Sequence, residues 1–236
     1  MKFIQLLVCI AFLAGAGFAD MVVEQKLTSD LMPGQGQDLS GQRPDSTMTM
    51  SIKGRKARVD LPGSRMSSII DLKNGKMYTL DHKQKQVVVM SLDDLKKAAD
   101  YSGQSKAAQG KSTVAKTGKT ETIKGYKCAE YEIKGTGPNA ATIQCWVTED
   151  VDDAEMAPFQ SFGGRMGGFL GLEGVQKPKG MVIRSASKIN LGGRMVNSSS
   201  EVEKINKDVV AESLFVVPVD YKVMEMPKFA PPPPAE

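Results

Sequence analysis

The sequence predicts a mainly β protein of the α+β class, built on an antiparallel sheet. Between residues 21 and 91, short segments with strand character alternate with breaks that contain glycine or polar residues. Strand character returns at 120–135, 141–149, 180–191 and 194–206. Only two stretches have helical features, so the dominant pattern is the succession of strands and turns that is typical of an antiparallel meander.

The first residues have the features of a secretory signal. Lys2 supplies the positive charge, an apolar run from Phe3 to Leu13 follows, and Ala19 is a small residue suited to cleavage. The run is too short to span a bilayer. We therefore expect residues 1–19 to be a cleaved signal peptide. The mature protein would then be periplasmic, with secretion as an alternative, and would not span the membrane.

The N-terminal part of the mature chain reads as six strands followed by a helix. The strand segments are MVVEQKLTS, STMTMSIK, RKARVDL, SSIIDL, KMYTLDH and QVVVMS. Asn74-Gly75 predicts a type I′ hairpin, because both residue types tolerate a positive φ. Ser91 is a suitable N-cap for a helix whose first turn carries Asp93 and Asp94, where carboxylates complement the helix dipole.

The remaining chain contains three segments of unusual composition. Residues 101–118 are rich in Gly, Ser, Ala, Gln and Lys, which predicts a flexible internal linker. Residues 152–172 predict a second helix. Residues 228–236 are a Pro-rich tail that we expect to be disordered. The prediction is a single domain over residues 20–227.

Several kinds of chemistry lack the residues that they need. The formal net charge is only +4 and has no accompanying aromatic ladder, so nucleic-acid binding is not predicted. His82 is the single histidine, which excludes a His-rich metal site. It closes a strand before a lysine-rich turn, a position typical of a surface residue. The acidic run 148–155 lacks the spacing of a calcium loop. We expect no catalytic centre, no metal and no cofactor.

A glycine-rich segment carries an apolar face. Its large apolar residues recur near helical spacing, whereas glycines occupy the other face and weaken the helix. Ordinary packing on the sheet is one interpretation. A movable plug over an apolar groove is the other, and it makes the apolar side chains ligand-binding candidates: Phe159, Phe162, Met166, Phe169 and Leu170.

The two cysteines beyond the signal segment suggest a disulfide. Cys128 and Cys145 lie symmetrically about the break between two predicted strands. An even-length loop centred there would place them directly opposite each other, within disulfide distance. Export to an oxidising compartment favours the bond. Free thiols are the alternative, and no neighbouring base supports a catalytic thiol.

Two stretches of the chain resemble a known superfamily. The segments IKGRKARVDLP and SSIIDLKNGKMYTLDHKQK, with Lys56, Arg58 and Asp60, are similar to the early strands of LolA/LolB-like proteins, the outer-membrane lipoprotein carriers. The ending LFVVPVDYKVMEMP is similar to that of an uncharacterised exported bacterial family of this superfamily. The resemblance implies an incomplete, curved β-barrel with helices across its open face.

Together these features predict a binding protein rather than an enzyme. The ligand would be a lipid or the acyl chain of a lipoprotein, held in a concave apolar groove, and the fourteen methionines suit variable apolar shapes. The alternative is a structural or protein-interaction module of the cell envelope that binds an envelope protein and no small ligand.

Overall fold

In a computed structural model, the described residues are 20–30, 46–61, 65–101, 112–135, 141–151, 159, 178–191 and 194–226. They form one twelve-stranded sheet with the strand order β12-β6-β5-β4-β3-β2-β1-β11-β10-β9-β8-β7. The strands are β1 (Met21–Ser29), β2 (Ser46–Lys53), β3 (Lys56–Asp60), β4 (Met66–Asp71), β5 (Lys76–Asp81), β6 (Gln86–Ser91), β7 (Ser112–Ile123), β8 (Tyr126–Gly135), β9 (Ala141–Thr148), β10 (Met181–Leu191), β11 (Arg194–Asn206) and β12 (Lys222–Glu225).

The sheet is open, since β12 and β7 end the strand order and do not pair with each other. β12 is parallel to β6, whereas the other neighbouring strands are antiparallel. Within the described ranges there is one α-helix, α1 (Leu92–Tyr101), and one 3₁₀ helix (Glu212–Phe215). The mainly β, antiparallel prediction is confirmed.

The strands and helix predicted before residue 102 are confirmed. β1, β2, β3, β5 and β6 lie within their predicted segments and β4 begins one residue before its own, because alternating side chains and turn residues determine strand limits locally. The Ser91 hydroxyl accepts a hydrogen bond from the Asp94 amide at 3.4 Å, which caps α1 as expected.

Two local predictions were wrong. β7 begins at Ser112, inside the stretch 101–118 that the composition predicted to be a linker. Asn74 has no positive φ, and the β4–β5 connection is a four-residue loop closed by Asp71 and Lys76. A two-residue hairpin with a positive φ at both loop residues is instead at Lys124-Gly125, where φ is +50° and +87°. Lysine rather than asparagine precedes the glycine there.

The main core lies between the sheet and α1. Leu92 and Leu95 of the helix pack on a cluster that draws residues from both ends of the sheet. The buried members are Met21, Val23, Ile52, Ala57, Ile70, Met77, Leu92, Ile123, Cys128, Val151, Phe159, Met181, Ile183 and Val202. Each of strands β1 to β11 contributes a residue that is buried in this cluster or packed against it. The core therefore stabilises the sheet as one layer.

The C-terminal strap, defined here as residues 207–221, covers the opposite face of strands β3 to β6. Consecutive side chains of a strand point to opposite faces, so Ile70 belongs to the main core and Ile69 contacts the strap. The strap contributes Val210, Phe215, Val217 and Tyr221 to this second cluster, and the sheet contributes Val22, Ile69, Tyr78, Leu80, Val87 and Val89. We call it the strap cluster.

A third apolar cluster lies on strands β7 to β10. Its buried residues are Ile133, Ile143, Cys145 and Val147, and Val114, Tyr131 and Val182 pack beside them. We call this the β8–β9 cluster. It is separate from the main core, although both clusters use residues of the same strands.

Candidate functional site

Phe159 is the one predicted ligand-binding residue that the structure describes. Its side chain is 2% exposed and belongs to the main core together with Val151 and Met181. It is therefore a core residue of the described structure. Phe162, Met166, Phe169 and Leu170 lie outside the described residues, so their role stays a prediction.

The predicted disulfide is not present, because both cysteines are free. The β8–β9 register places Tyr131, not Cys128, opposite Cys145. Cys128 lies three residues before Tyr131 on β8, and two side chains an odd number of residues apart lie on opposite faces of the sheet. Cys128 accordingly lies in the main core, whereas Cys145 lies in the β8–β9 cluster. No rotamer change could join them.

Both thiols have properties of structural cysteines. Burial raises the pKa of Cys128, and burial together with the charge of Glu130 raises the pKa of Cys145 to about 11. The reactive form of cysteine is the thiolate, which these environments disfavour. The geometry thus supports the expectation that neither cysteine is a nucleophile.

A cavity of about 520 Å³ lies on strands β7 to β9, next to the β8–β9 cluster. Tyr131 and Val147 belong to both the cluster and the cavity lining, so the cavity joins apolar surface directly. The other lining residues are Lys116, Thr120, Glu121, Thr122, Lys127, Cys128, Ala129, Glu149, Asp150 and Lys179. It is an open depression on the surface whose volume falls in the range of small-molecule sites.

Several charged side chains of the cavity lining have identified partners. Glu121 is bound by Arg184, whose Nη1 lies 3.0 Å from Oε1. Asp150 Oδ2 accepts a hydrogen bond from the Lys127 amide at 3.1 Å. The Lys116 ammonium lies 5.9 Å from the centre of the Tyr131 ring, a cation–π distance. The lining thus carries three lysines, Lys116, Lys127 and Lys179, beside three carboxylates, of which Glu121 is paired with Arg184.

A polar network joins β3, β4 and the β5–β6 turn to the strap. Arg58 binds Asp60 through Nε and Nη2, at distances between 2.8 and 3.0 Å. Its Nη1 donates to the carbonyl oxygen of Leu214 at 3.0 Å. Ser67 Oγ lies 2.5 Å from Asp60 Oδ1 and 2.7 Å from His82 Nε2. His82 Nδ1 lies 2.6 Å from the Tyr221 hydroxyl.

The order of groups in this network differs from that of a hydrolytic triad. In a triad the imidazole lies between the carboxylate and the serine, so that it can take the serine proton. Here Ser67 lies between Asp60 and His82. Because the carboxylate can only accept, Ser67 donates to Asp60 and His82 Nε2–H donates to Ser67. His82 Nδ1 and the Tyr221 hydroxyl share the next hydrogen bond of the chain.

The same network stabilises the ionised form of Asp60. Burial raises the pKa of this carboxyl, but hydrogen bonds from Arg58 and Ser67 and the charges of Arg58 and His82 outweigh the burial and hold the pKa below its usual range. Ser67 itself is 4% exposed. The arrangement therefore acts as a clasp that attaches the strap to the sheet.

Further contacts attach the strap along its length. Asp20 Oδ2 accepts the Val210 amide at 2.8 Å and pairs with Lys53 at 2.7 Å. At the other end of the strap, Lys85 pairs with Asp220 at 2.8 Å. Sequence analysis missed this assembly, since it predicted His82 to be a surface residue. His82 is indeed exposed, but it also bridges β4 and the strap.

Residues of the clasp lie in the segments that were compared with LolA/LolB-like proteins. Arg58 and Asp60 on one strand, with Tyr221 near the chain end, meet in the clasp. Charged residues at alternating positions of a strand lie on one face, so a shared partner could have been expected. Nothing local indicates which distant residue completes the network.

Comparison with known proteins assigns the family. The model of a domain of unknown function, DUF4412, matches residues 38–221. The chain therefore belongs to the DUF4412 family. No match was found among curated proteins.

Solved structures show only distant likeness. A chain of the Pseudomonas aeruginosa MucA/MucB complex matches with a TM-score of 0.46 and 12% identity, over 89% of this chain and 62% of that one. PNGF-II matches with 0.40 and 12%, over 87% of this chain and 31% of that one. A Vibrio parahaemolyticus domain assigned to outer membrane lipoprotein sorting matches with 0.34 and 7%, over 86% and 90%. This chain thus spans about a third of PNGF-II.

Two absences concern the described part of the chain alone. Within it, no helix is long and apolar enough to cross a membrane. No three metal-ligating side chains come together among the same residues.

Proposed function

We propose that this protein is a non-enzymatic, extracytoplasmic binding protein of the cell envelope, and that its ligand is a lipid or acyl chain with an anionic head group. The observation that carries the proposal is the cavity beside the β8–β9 cluster. It joins apolar surface at Tyr131 and Val147 to a rim that contains Lys116, Lys127 and Lys179.

The two parts of this site match the two parts of such a ligand. Apolar contact contributes about 25 cal/mol per Å² of buried surface, so a hydrocarbon chain gains affinity along the cluster. Lysine ammonium groups attract a carboxylate or phosphate as point charges, which suits a head group that stays near solvent. No catalytic step is needed for such binding.

The proposal includes a mobile cover. Phe159 is fixed in the main core, so the predicted helix at 152–172 would have one anchored end. Phe162, Met166, Phe169 and Leu170 would then move aside to admit the ligand. The finer prediction of an incomplete barrel with helices across its open face belongs to this proposal.

The first experiment is native mass spectrometry of protein purified from the envelope without detergent. We expect an adduct of lipid mass that solvent extraction removes. The extracted protein should bind palmitate, and it should bind hexadecanol less tightly because the neutral alcohol lacks the charge. A clean mass together with no uptake of palmitate would contradict the proposal.

Variants locate the site. Replacement of Lys116, Lys127 and Lys179 by alanine should weaken palmitate binding more than hexadecanol binding. The matched control replaces three lysines away from the cavity, Lys73, Lys83 and Lys97, and should leave both unchanged. Phe162→Ala with Phe169→Ala should weaken binding of both probes. An equal loss in the lysine control would show a general charge effect and contradict the assigned site.

A second candidate function is the interaction module without a small ligand. Exposed large apolar side chains of the strap favour it, since Val209 is 89% exposed and Val216 is 58% exposed. Under this alternative, Phe162→Ala with Phe169→Ala would lower stability without any change in lipid binding.

A further inference from the structure

Among the described residues, no strand pairs with the outer edge of β12. The Lys222 amide donates to the Lys85 carbonyl at 2.8 Å, and the Met226 amide donates to the Val89 carbonyl at 3.1 Å. Because backbone groups of successive strand residues point in opposite directions, the N–H and C=O of Val223 and Glu225 point away from β6. β12 ends the strand order of the described sheet. An open edge of this kind is a template for another strand.

Three exposed side chains at this edge are apolar, and Lys222 and Glu225 are charged. Val223 is 58% exposed, Met224 41% and Met226 55%. The opposite edge of the sheet, β7, is different. It carries Lys116 and Lys119, and its pairing with β8 is interrupted between Lys116 and Thr120. Charges and irregularities are the usual protection of an edge strand. β7 has both, whereas β12 carries Lys222 and Glu225 but pairs with β6 without a register shift.

We propose that β12 pairs with β12 of a second copy of this chain, antiparallel across a two-fold axis at Met224. The strand is self-complementary in this register, as a two-fold interface requires. The outward backbone groups of Val223 meet those of Glu225 in the other copy. Met224 faces its own counterpart, and Lys222 faces Met226. The site differs from the ligand cavity, so this inference does not depend on the proposed function.

The neighbouring registers are less favourable. An axis at Glu225 would place two carboxylates directly opposite each other, which is destabilising. An axis at Val223 would extend the pairing to Asp220 and Tyr221. These residues are already held by Lys85 and His82. The axis at Met224 confines the contact to residues 222–226.

Charge variants test both the interface and its register by sedimentation equilibrium of the full chain from residue 20. Met224→Lys opposes two like charges across the axis and should shift the protein to monomer. Val223→Lys places a lysine opposite Glu225 and should leave the dimer intact or strengthen it. Both variants keep the backbone bonds to β6, so circular dichroism should show the same fold. A monomer at every concentration, or a dimer that Met224→Lys leaves unchanged, would overturn the proposal.

Cross-linking provides a second measurement. Directly opposed residues at a narrow antiparallel pair have Cα atoms about 4.5 Å apart, within the range of a disulfide. Met224→Cys should therefore form a covalent dimer under mild oxidation. Met195→Cys is the control, because Met195 is 53% exposed on β11. Equal cross-linking of both variants would overturn the assigned interface. The interface would also be overturned if the protein were a monomer that binds phosphatidylcholine vesicles through Met224.

Discussion

Strands β1 to β6 and strands β7 to β10 use their two faces differently. In the first region, one face belongs to the main core with α1, and the strap covers the other face over strands β3 to β6. In the second region, the β8–β9 cluster adjoins a cavity whose lining includes Lys116, Lys127 and Lys179. The comparison separates a region closed by its own chain from a region with space for a ligand. Stability should depend most on the first, and ligand binding on the second.

The largest expected effect is that of Leu80→Ala. Leu80 is 0% exposed in the strap cluster, and removing a buried leucine side chain costs about 2–5 kcal/mol of unfolding free energy. Urea unfolding measures this loss. Palmitate binding by the folded fraction should not change. Ile143→Ala, at an equally buried site of the β8–β9 cluster, should lower both stability and palmitate affinity. Equal changes in palmitate affinity for Leu80→Ala and Ile143→Ala would contradict the distinction between the two regions.

An intermediate effect is expected from the two best-connected arginines. Arg58→Ala leaves the Leu214 carbonyl without its donor and leaves Asp60 without its charged partner, with the Ser67 hydroxyl as its remaining donor, so the loss should be about 2 kcal/mol. Arg184→Ala should cost about 1 kcal/mol or less, since its pairs with Glu121 and Glu201 are more exposed. Chemical denaturation of both variants checks the order. The reverse order would show that the clasp contributes little.

The clasp also predicts a pH dependence. The pKa of Asp60 is held below its usual range, as is that of Asp20, which Lys53 and the Val210 amide stabilise against the effect of burial. A carboxylate with a depressed pKa stabilises the fold at pH values above the unfolded pKa of about 3.9, and this contribution is lost as the pH falls. Asp60→Asn should therefore flatten the acid side of the stability profile measured between neutral pH and pH 3. An unchanged profile would contradict the assigned role of Asp60.

The smallest effect concerns the thiols. Both cysteines are buried and free, and the raised pKa of each disfavours the thiolate at neutral pH. In the chain from residue 20, an aromatic disulfide reagent at pH 8 should react slowly with the native protein and rapidly with both thiols after unfolding. Cys145→Ala should leave the fold unchanged. Absence of free thiols in the unfolded, unreduced protein would restore the disulfide that the register excludes.

Sequence patterns were sufficient for the strands but not for their registers. The limits of β1 to β6 depend on local alternation and turn residues, which the sequence displays directly. The cysteine pairing depended on the loop between β8 and β9. Direct pairing of Cys128 with Cys145 requires the centre of this loop to lie between Thr136 and Gly137. The observed pair of Tyr131 and Cys145 places the centre at position 138. Such a small displacement changes the face of a side chain, and no local pattern determines it.

The candidate site shows the same limit. Phe159 was identified by its spacing, but the structure assigns it to the core. The clasp unites β3, β4, the β5–β6 turn and the strap, and its longest sequence separation joins Arg58 to Leu214. The cavity lysines come from β7, β8 and the segment before β10. Only tertiary structure brings such groups together.

His82 gives the molecule a built-in spectroscopic probe. It is the single histidine of the chain, so one imidazole signal in a nuclear magnetic resonance spectrum belongs to it without further assignment. Its ring nitrogens lie 2.7 Å from Ser67 Oγ and 2.6 Å from the Tyr221 hydroxyl. Detachment of the strap would remove the second contact and change the nitrogen chemical shifts. The attachment of the chain end can thus be followed in solution without a label attached to the protein.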